Sequence, residues 1–407
     1  MSSTQHIVII GGGIIGCTTA YYLSHHPAYS SNTKITLLEA SKVGIAQGAS
    51  GKAGGLIAKW AYPKELVNLS FPEHIKLAEK YDGENRWGWR FLECGSWEGR
   101  ARAPEETGTG AGKQDKRKSL EKTLGLDEGW KKKRAALGLP DDLDWVDEAL
   151  TDHYSSMAPT GDTAQVHPYL FTASMLDFAK EKGATFTPGR VTEIRTDSST
   201  GTVSGVVYAD PITGELHVID ATHVVLAAGP WSPHILPSLP IIGTRAHSVT
   251  IRPTGKISPY ALFTEIVLDS DERSTQATPE LYARPDNEVY CCGPGEISQV
   301  PKTVDDVEVD QAACDSIIEN VSGISEQLRD GKIDKRQACF LPIIDISGGP
   351  IVGEADSVAK GLIVATGHGC WGICNAPGTA KAIAELIFEG KISCGNLDSL
   401  HPSHYLA

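Results

Sequence analysis

Gly11, Gly13 and Gly16 follow directly on the apolar run His6-Ile7-Val8-Ile9-Ile10, and Glu39 closes a second apolar run, Leu37-Leu38. Glycines at this spacing between a strand and a helix do anion-binding chemistry. Gly11 permits the tight turn, Gly13 lets the backbone approach a pyrophosphate, and Gly16 lets the helix pack against the strand. The helix opens at Ile14 and Ile15, whose free N–H groups and positive dipole end face the phosphates. Glu39, followed by Ala40, is placed to accept hydrogen bonds from the ribose hydroxyls of an adenosine. Such an array requires a strand, a helix and a second strand, so the spacing predicts a βαβ unit over residues 6–40. A turn without nucleotide is the alternative; the strand, helix and acid all in place argue against it.

Three further segments carry the same signature of backbone held close to something bulky. Residues 44–55, including Ser50, Gly51, Lys52 and Ala53, are too rich in glycine for a helix or central strand, and Leu56-Ile57-Ala58 follows at once. A loop wrapping a ligand fits this better than a polar linker. Residues 221–232 read as an apolar strand ending in Ala227-Ala228-Gly229-Pro230-Trp231. Near the C-terminus, residues 361–367 read as a last strand, residues 367–373 as a second glycine loop, and Pro377 as the first turn of a helix over 378–389.

The rest of the chain sets limits. A net charge of −14 argues against nucleic acid or an anionic membrane as partner. With 407 residues, 41% of them hydrophobic, the chain is long enough for two domains with substantial cores. The nine cysteines show neither a CxxC pair nor zinc-ligand spacing, so no metal site is expected. They suit a reducing compartment, and a cytoplasmic setting is the default. The apolar stretch over residues 7–23 lacks a basic flank, and the nucleotide turn explains its glycines better than a signal or membrane segment does. Residues 99–134 are dominated by Gly, Lys, Arg, Glu and Thr, which predicts a solvated, mobile insertion; a basic binding patch is the alternative. Residues 242–304 alternate in strand fashion, and 304–330 carry a helical pattern.

Taken together, the Gly11-Gly13-Gly16 turn with Glu39, the Gly48-Ala49-Ser50-Gly51 loop, Val225 to Trp231, and Gly367-His368-Gly369 through Ile373 to Pro377-Gly378-Thr379 resemble the D-amino-acid-oxidase superfamily. Within that superfamily the chain is most similar to the glycine-oxidase and sarcosine-oxidase branch, especially its fungal members. The resemblance implies an α/β fold: a Rossmann-type FAD-binding domain with an inserted α+β substrate domain built on an antiparallel sheet. It places the FAD-binding domain at residues 1–60, 155–240 and 335–407, and the substrate domain at 61–154 and 241–334. FAD is the implied cofactor. Ser50, Gly51, Lys52 and Ala53 would lie near the flavin, and Val191 would contact the adenine through its backbone. Ala228, Gly229 and Trp231 would pass close by, and Gly369, Cys370, Trp371, Gly372 and Ile373 would wrap the isoalloxazine ring.

Several assignments stay open at this point. Relatives carry an arginine that holds the substrate carboxylate, and Arg336 is either that clamp or a structural residue in an altered loop. The sarcosine-oxidase branch attaches FAD through a cysteine in this neighbourhood, so Cys339 is either a covalent anchor or a buried free thiol. Lys52 could stabilise superoxide, or it could pair with phosphate or sit in solvent. His368 is a better candidate base than His247, although an amine can lose its proton to water. Arg284 reads as a structural turn residue. The expected activity is FAD-dependent oxidation of a C–N bond in a small amine or amino acid, with O2 as the acceptor. The alternatives are a flavoprotein acting on a C–O bond, a flavin-retaining binding or trafficking protein, and an NAD-only dehydrogenase. No spacing speaks to oligomeric state.

Overall fold

The computed structural model describes residues 4–102, 134–268, 275–344 and 349–406. Ile7 to Ile10 form a strand buried on both sides, as a central parallel strand must be. Ile7 and Ile9 face one core with the helices, whereas Val8 and Ile10 face a second core. The strand Gln5–Ile10 lies in a six-stranded sheet. The order across it is Ile351–Glu354, Leu362–Thr366, His223–Leu226, Gln5–Ile10, Thr33–Glu39 and Thr185–Pro188. All neighbours run parallel except Ile351–Glu354, which pairs antiparallel with Leu362–Thr366. The helix Ile14–Ser24 packs over this sheet, and the sheet draws on three distant stretches of sequence.

A nine-stranded sheet forms the other large layer. Its backbone is the antiparallel series Ile241–Arg252, Val289–Cys292, Glu280–Ala283 and Tyr260–Leu268, extended in parallel by Glu93–Arg100. Val249, Leu262, Leu281 and Cys291 share one face and bury against Cys314, Ile317, Val321 and Ile324 of the helix Gln311–Ile324. Asp310 caps that helix by accepting the amides of Ala312 and Ala313. The chain therefore adopts the expected class: a dinucleotide-type parallel sheet plus a mixed domain on an antiparallel sheet. One expected boundary, residue 335, falls inside the strand Lys332–Ile344, which pairs along its length with Ile241–Arg252.

Two local expectations are corrected. The last helix is Gly372–Glu389, so it starts five residues before Pro377. A proline inside a helix leaves the carbonyl four residues back without its donor. Here His74 Nε2 approaches the freed oxygens of Ile373 and Cys374 at 3.0 and 3.1 Å. The Gly378 amide turns instead to Ser70 Oγ, 2.9 Å away. Both partners come from the helix Lys64–Tyr81, so the proline is accommodated by a neighbour rather than by ending the helix. The second correction concerns the charged insertion. Its ends are ordered: the strand runs on to Arg100, and Arg134 is buried, donating to the carbonyl oxygens of Pro140 and Leu143. Residues 103–133, with the basic runs, lie outside the described residues. Among the described residues no helix is long and apolar enough to cross a membrane.

Candidate functional site

The glycine turn is built by close contact. Gly11 has φ +111°, and a Cβ there would meet the Ala227 carbonyl oxygen at 2.4 Å. A Cβ on Gly16 would meet the Gly11 carbonyl oxygen at 2.0 Å, which is why the first helix can lie so near its strand. Glu39 pins the turn from the second strand. Its Oε2 accepts the Gly12 amide at 2.6 Å and its Oε1 the Ser41 amide at 2.8 Å. Burial nevertheless raises the affinity of this carboxyl for its proton. Ser50 Oγ accepts the Ile14 amide at 2.8 Å, tying the second glycine loop to the helix start. The amides of Gly13 and Ile15 have no partner among the described residues and face a cavity.

That cavity collects most of the residues expected at the cofactor. Gly11, Gly13, Ile14, Ile15, Glu39 and Ala40 line one end. Ser50, Ala53, Val191, Ala228, Gly229 and Trp231 also line it, as do His368, Gly369, Cys370, Gly372 and Ile373. Gly16 and Gly51 stand behind the wall, where a Cβ on Gly51 would meet the Ala46 carbonyl oxygen at 2.1 Å. Trp371 turns away from the cavity and packs edge-on against Trp60, with ring centroids 5.2 Å apart.

The polar candidates are placed differently from one another. Lys52, expected at the flavin, does not line the cavity; it is half-buried and donates to the Ala338 carbonyl oxygen at 3.0 Å, and burial lowers its basicity. Arg336 does not line the cavity, and it pairs with Asp315 at 2.5 Å on the far side of the strand. A carboxylate clamp would have to face the ligand, so the sequence-based position for it is corrected. His247 lies on the helix side of the sheet, where its Nε2 accepts the Asp310 amide at 3.1 Å. His368 lies 3.1 Å from Thr379 Oγ1, and burial holds its pKa down to about 3. A ring so weakly basic stays neutral near pH 7, which does not suit it to collect a proton there. Arg284 is structural: it is buried against Glu288 and donates to the Ala53 carbonyl oxygen at 2.9 Å. Cys339 is buried, and its thiol is pushed up to about 11 despite the nearby Lys52.

One part of the site has no sequence signal. Lys302, Thr303 and Val304 line the cavity. They are held there by contacts on both sides. The Trp231 indole N–H donates to the Pro301 carbonyl oxygen at 2.8 Å, and Asp305 accepts from Ser41 Oγ and the Lys42 amide. No glycine pattern marks this strap, because it contributes packing rather than a phosphate turn.

The cavity walls fit FAD. A glycine cradle that a Cβ would fill, unpaired amides at a helix start, and an acid held by the turn stand at one end. A second glycine loop at a second helix start stands at the other. A family model described as FAD dependent oxidoreductase matches residues 6–386. The Saccharomyces cerevisiae protein named "Putative oxidoreductase TDA3" is 35% identical, over 98% of this chain and 95% of its own length. A Schizosaccharomyces pombe protein named in the same way is 35% identical over 99% of both chains. Glycine oxidase from Bacillus cereus shares the fold at a TM-score of 0.70 and 21% identity, covering 97% of this chain and 98% of that one. The chain belongs to the family of FAD-dependent oxidoreductases of the D-amino-acid-oxidase type.

Proposed function

We propose that this protein oxidises a C–N bond of a small amine or amino acid, with O2 as the electron acceptor. The observation that supports this most directly is the shape of the cavity. It runs continuously from the Gly11–Ile15 turn to the loop at Gly369–Ile373, as a flavin dinucleotide requires and a nicotinamide-only enzyme does not. The fold shared with a glycine oxidase supports an amine over a hydroxy acid.

Bound FAD supplies hydride acceptance from a carbon next to nitrogen. The chain's own residues would do the rest. Gly13 and Ile15 amides would hold the pyrophosphate, Glu39 the ribose, and the Val191 backbone the adenine. The helix beginning at Gly372 would present its positive end to the ring's pyrimidine edge, favouring negative charge there by about 0.3–1 kcal/mol, or up to about 2 when buried. Neutral His368 would keep the loop in place. Lys52, the cation adjoining Cys339, is the candidate for electrostatic assistance to oxygen reduction.

The visible spectrum of the purified protein is the first test, followed by anaerobic addition of amines, amino acids and hydroxy acids. Bleaching by amines alone supports the proposal. Bleaching by hydroxy acids alone replaces it with C–O oxidation, and a flavin that none of them bleaches removes it.

A further inference from the structure

The side of the nine-stranded sheet opposite its helix carries a carboxylate outside the cofactor cavity. Register places Phe263, Glu280 and Cys292 side by side on this face, with Ala261, Tyr282 and Tyr290 in the next row. Tyr282 and Tyr290 stack with centroids 5.7 Å apart, and Tyr282 meets Phe263 edge-on at 6.0 Å. Phe263 meets Trp60 at 5.9 Å, and Trp60 meets Trp371 of the flavin loop at 5.2 Å. A Cβ on Gly54 would strike the Tyr282 ring at 2.0 Å, so the second glycine loop presses directly on this face. The aromatic wall is therefore continuous from the flavin loop to Glu280.

Glu280 is a carboxylate without a counter-ion. Oε2 accepts from the Tyr282 hydroxyl and from Cys292 Sγ. Oε1 accepts from nothing among the described residues, and the Glu280 side chain is only partly buried. The cations bordering the face are engaged elsewhere. Arg284 pairs with Glu288, Arg90 donates to the Ala283 carbonyl oxygen and to Gln165, and Lys52 donates to the Ala338 carbonyl oxygen. Burial raises the proton affinity of Glu280, as expected for a partly desolvated carboxyl with no cation nearby. A desolvated carboxylate beside aromatic faces is a receptor for an organic cation, because ring quadrupoles and the carboxylate attract the same charge.

We propose that Glu280, with Trp60 and Phe263, binds a cationic nitrogen of the substrate. This rests on the C–N reading above and sharpens it. The nitrogen next to the oxidised carbon must be neutral when its hydride leaves, since a protonated nitrogen has no lone pair to support the departing charge. The cation held by Glu280 is then a second, non-reacting nitrogen. The substrate class is a diamine, a polyamine or an amine bearing a quaternary ammonium group, recognised without a carboxylate clamp.

The test is a titration of the FAD-loaded protein with tetramethylammonium, and with acetate as an anionic control, followed by tryptophan fluorescence and the flavin spectrum. Tetramethylammonium is expected to give a saturable change and acetate none. Glu280→Gln should weaken tetramethylammonium binding about tenfold while leaving the flavin content unchanged. Should that variant lose its flavin, Trp60→Leu is expected to weaken binding about fivefold through the lost cation–π contact. Acetate binding without tetramethylammonium binding, or full affinity in the folded variants, overturns the proposal. The two readings separate cleanly. Tetramethylammonium binding through Glu280 with no amine able to bleach the flavin leaves the site standing and removes the oxidase activity. Bleaching by glycine with no tetramethylammonium binding does the reverse.

Discussion

Ser41 donates its hydroxyl hydrogen to Asp305 across 2.6 Å, joining two residues 264 positions apart at the edge of the cofactor cavity. Asp305 takes the Lys42 amide with its other oxygen, so one carboxylate clasps the loop after Glu39. Asp305→Ala is expected to weaken FAD binding about tenfold, the loss of a charged hydrogen bond. Flavin fluorescence quenching on titration of the apoprotein measures it. An unchanged dissociation constant would show that the strap is not part of the cofactor grip.

His74 is the support for the proline in the last helix, and its Nε2 must carry the proton to donate to two carbonyl oxygens. His74→Phe keeps the ring but leaves those buried oxygens unpaired. The expected cost is about 1–3 kcal/mol, read as a lower Tm. A Tm equal to that of the parent would mean that solvent reaches the kink.

Acid should unfold the protein from just below neutrality. Burial lowers His74 and His167 to about 4 and His368 to about 3. Once unfolded they titrate at about 6.5, so the unfolded chain binds more protons between that pH and about 4. The contribution is complete above about 6.5 and is lost as pH falls through this window. Glu39 and Glu280, both raised by burial, act in the opposite sense. Tm is expected to be highest near pH 7 and to fall steadily below about 6.5. His74→Phe should flatten that slope, and a Tm constant from pH 7 to 5 would contradict the assignment.

FAD is expected to be bound without a covalent link to Cys339. With its thiol pushed up to about 11, roughly one molecule in a thousand carries the thiolate near pH 8. Acid precipitation should therefore leave the yellow colour in the supernatant. A yellow pellet that turns colourless in Cys339→Ser would establish attachment there.

Lys52→Met should slow reoxidation of the reduced flavin by O2 about tenfold if the ammonium assists oxygen reduction. Stopped-flow mixing with aerated buffer reads this step apart from amine oxidation. An unchanged rate would leave Lys52 only its contact to the Ala338 carbonyl oxygen.

The sequence by itself determined the cofactor end of this protein. Gly11, Gly13, Gly16 and Glu39 act over one turn and two strands, and such contacts are local enough to impose a spacing. The same holds for Gly51, whose place is dictated by the Ala46 carbonyl oxygen five residues earlier. Only the tertiary structure decided the rest. Arg336 and Glu280 both lie on strands of one sheet, and which face each one shows follows from pairing with strands far away in sequence. Alternation alone leaves that choice open, because a slip of one residue reverses every side chain. Pro377 read as a helix start because its missing donor is a local fact, while His74 and Ser70, which make up for it, come from another helix 300 residues away. Lys302 to Val304 reach the cofactor cavity only because Trp231 and Ser41 hold their neighbours there, and packing of that kind leaves no pattern along the chain.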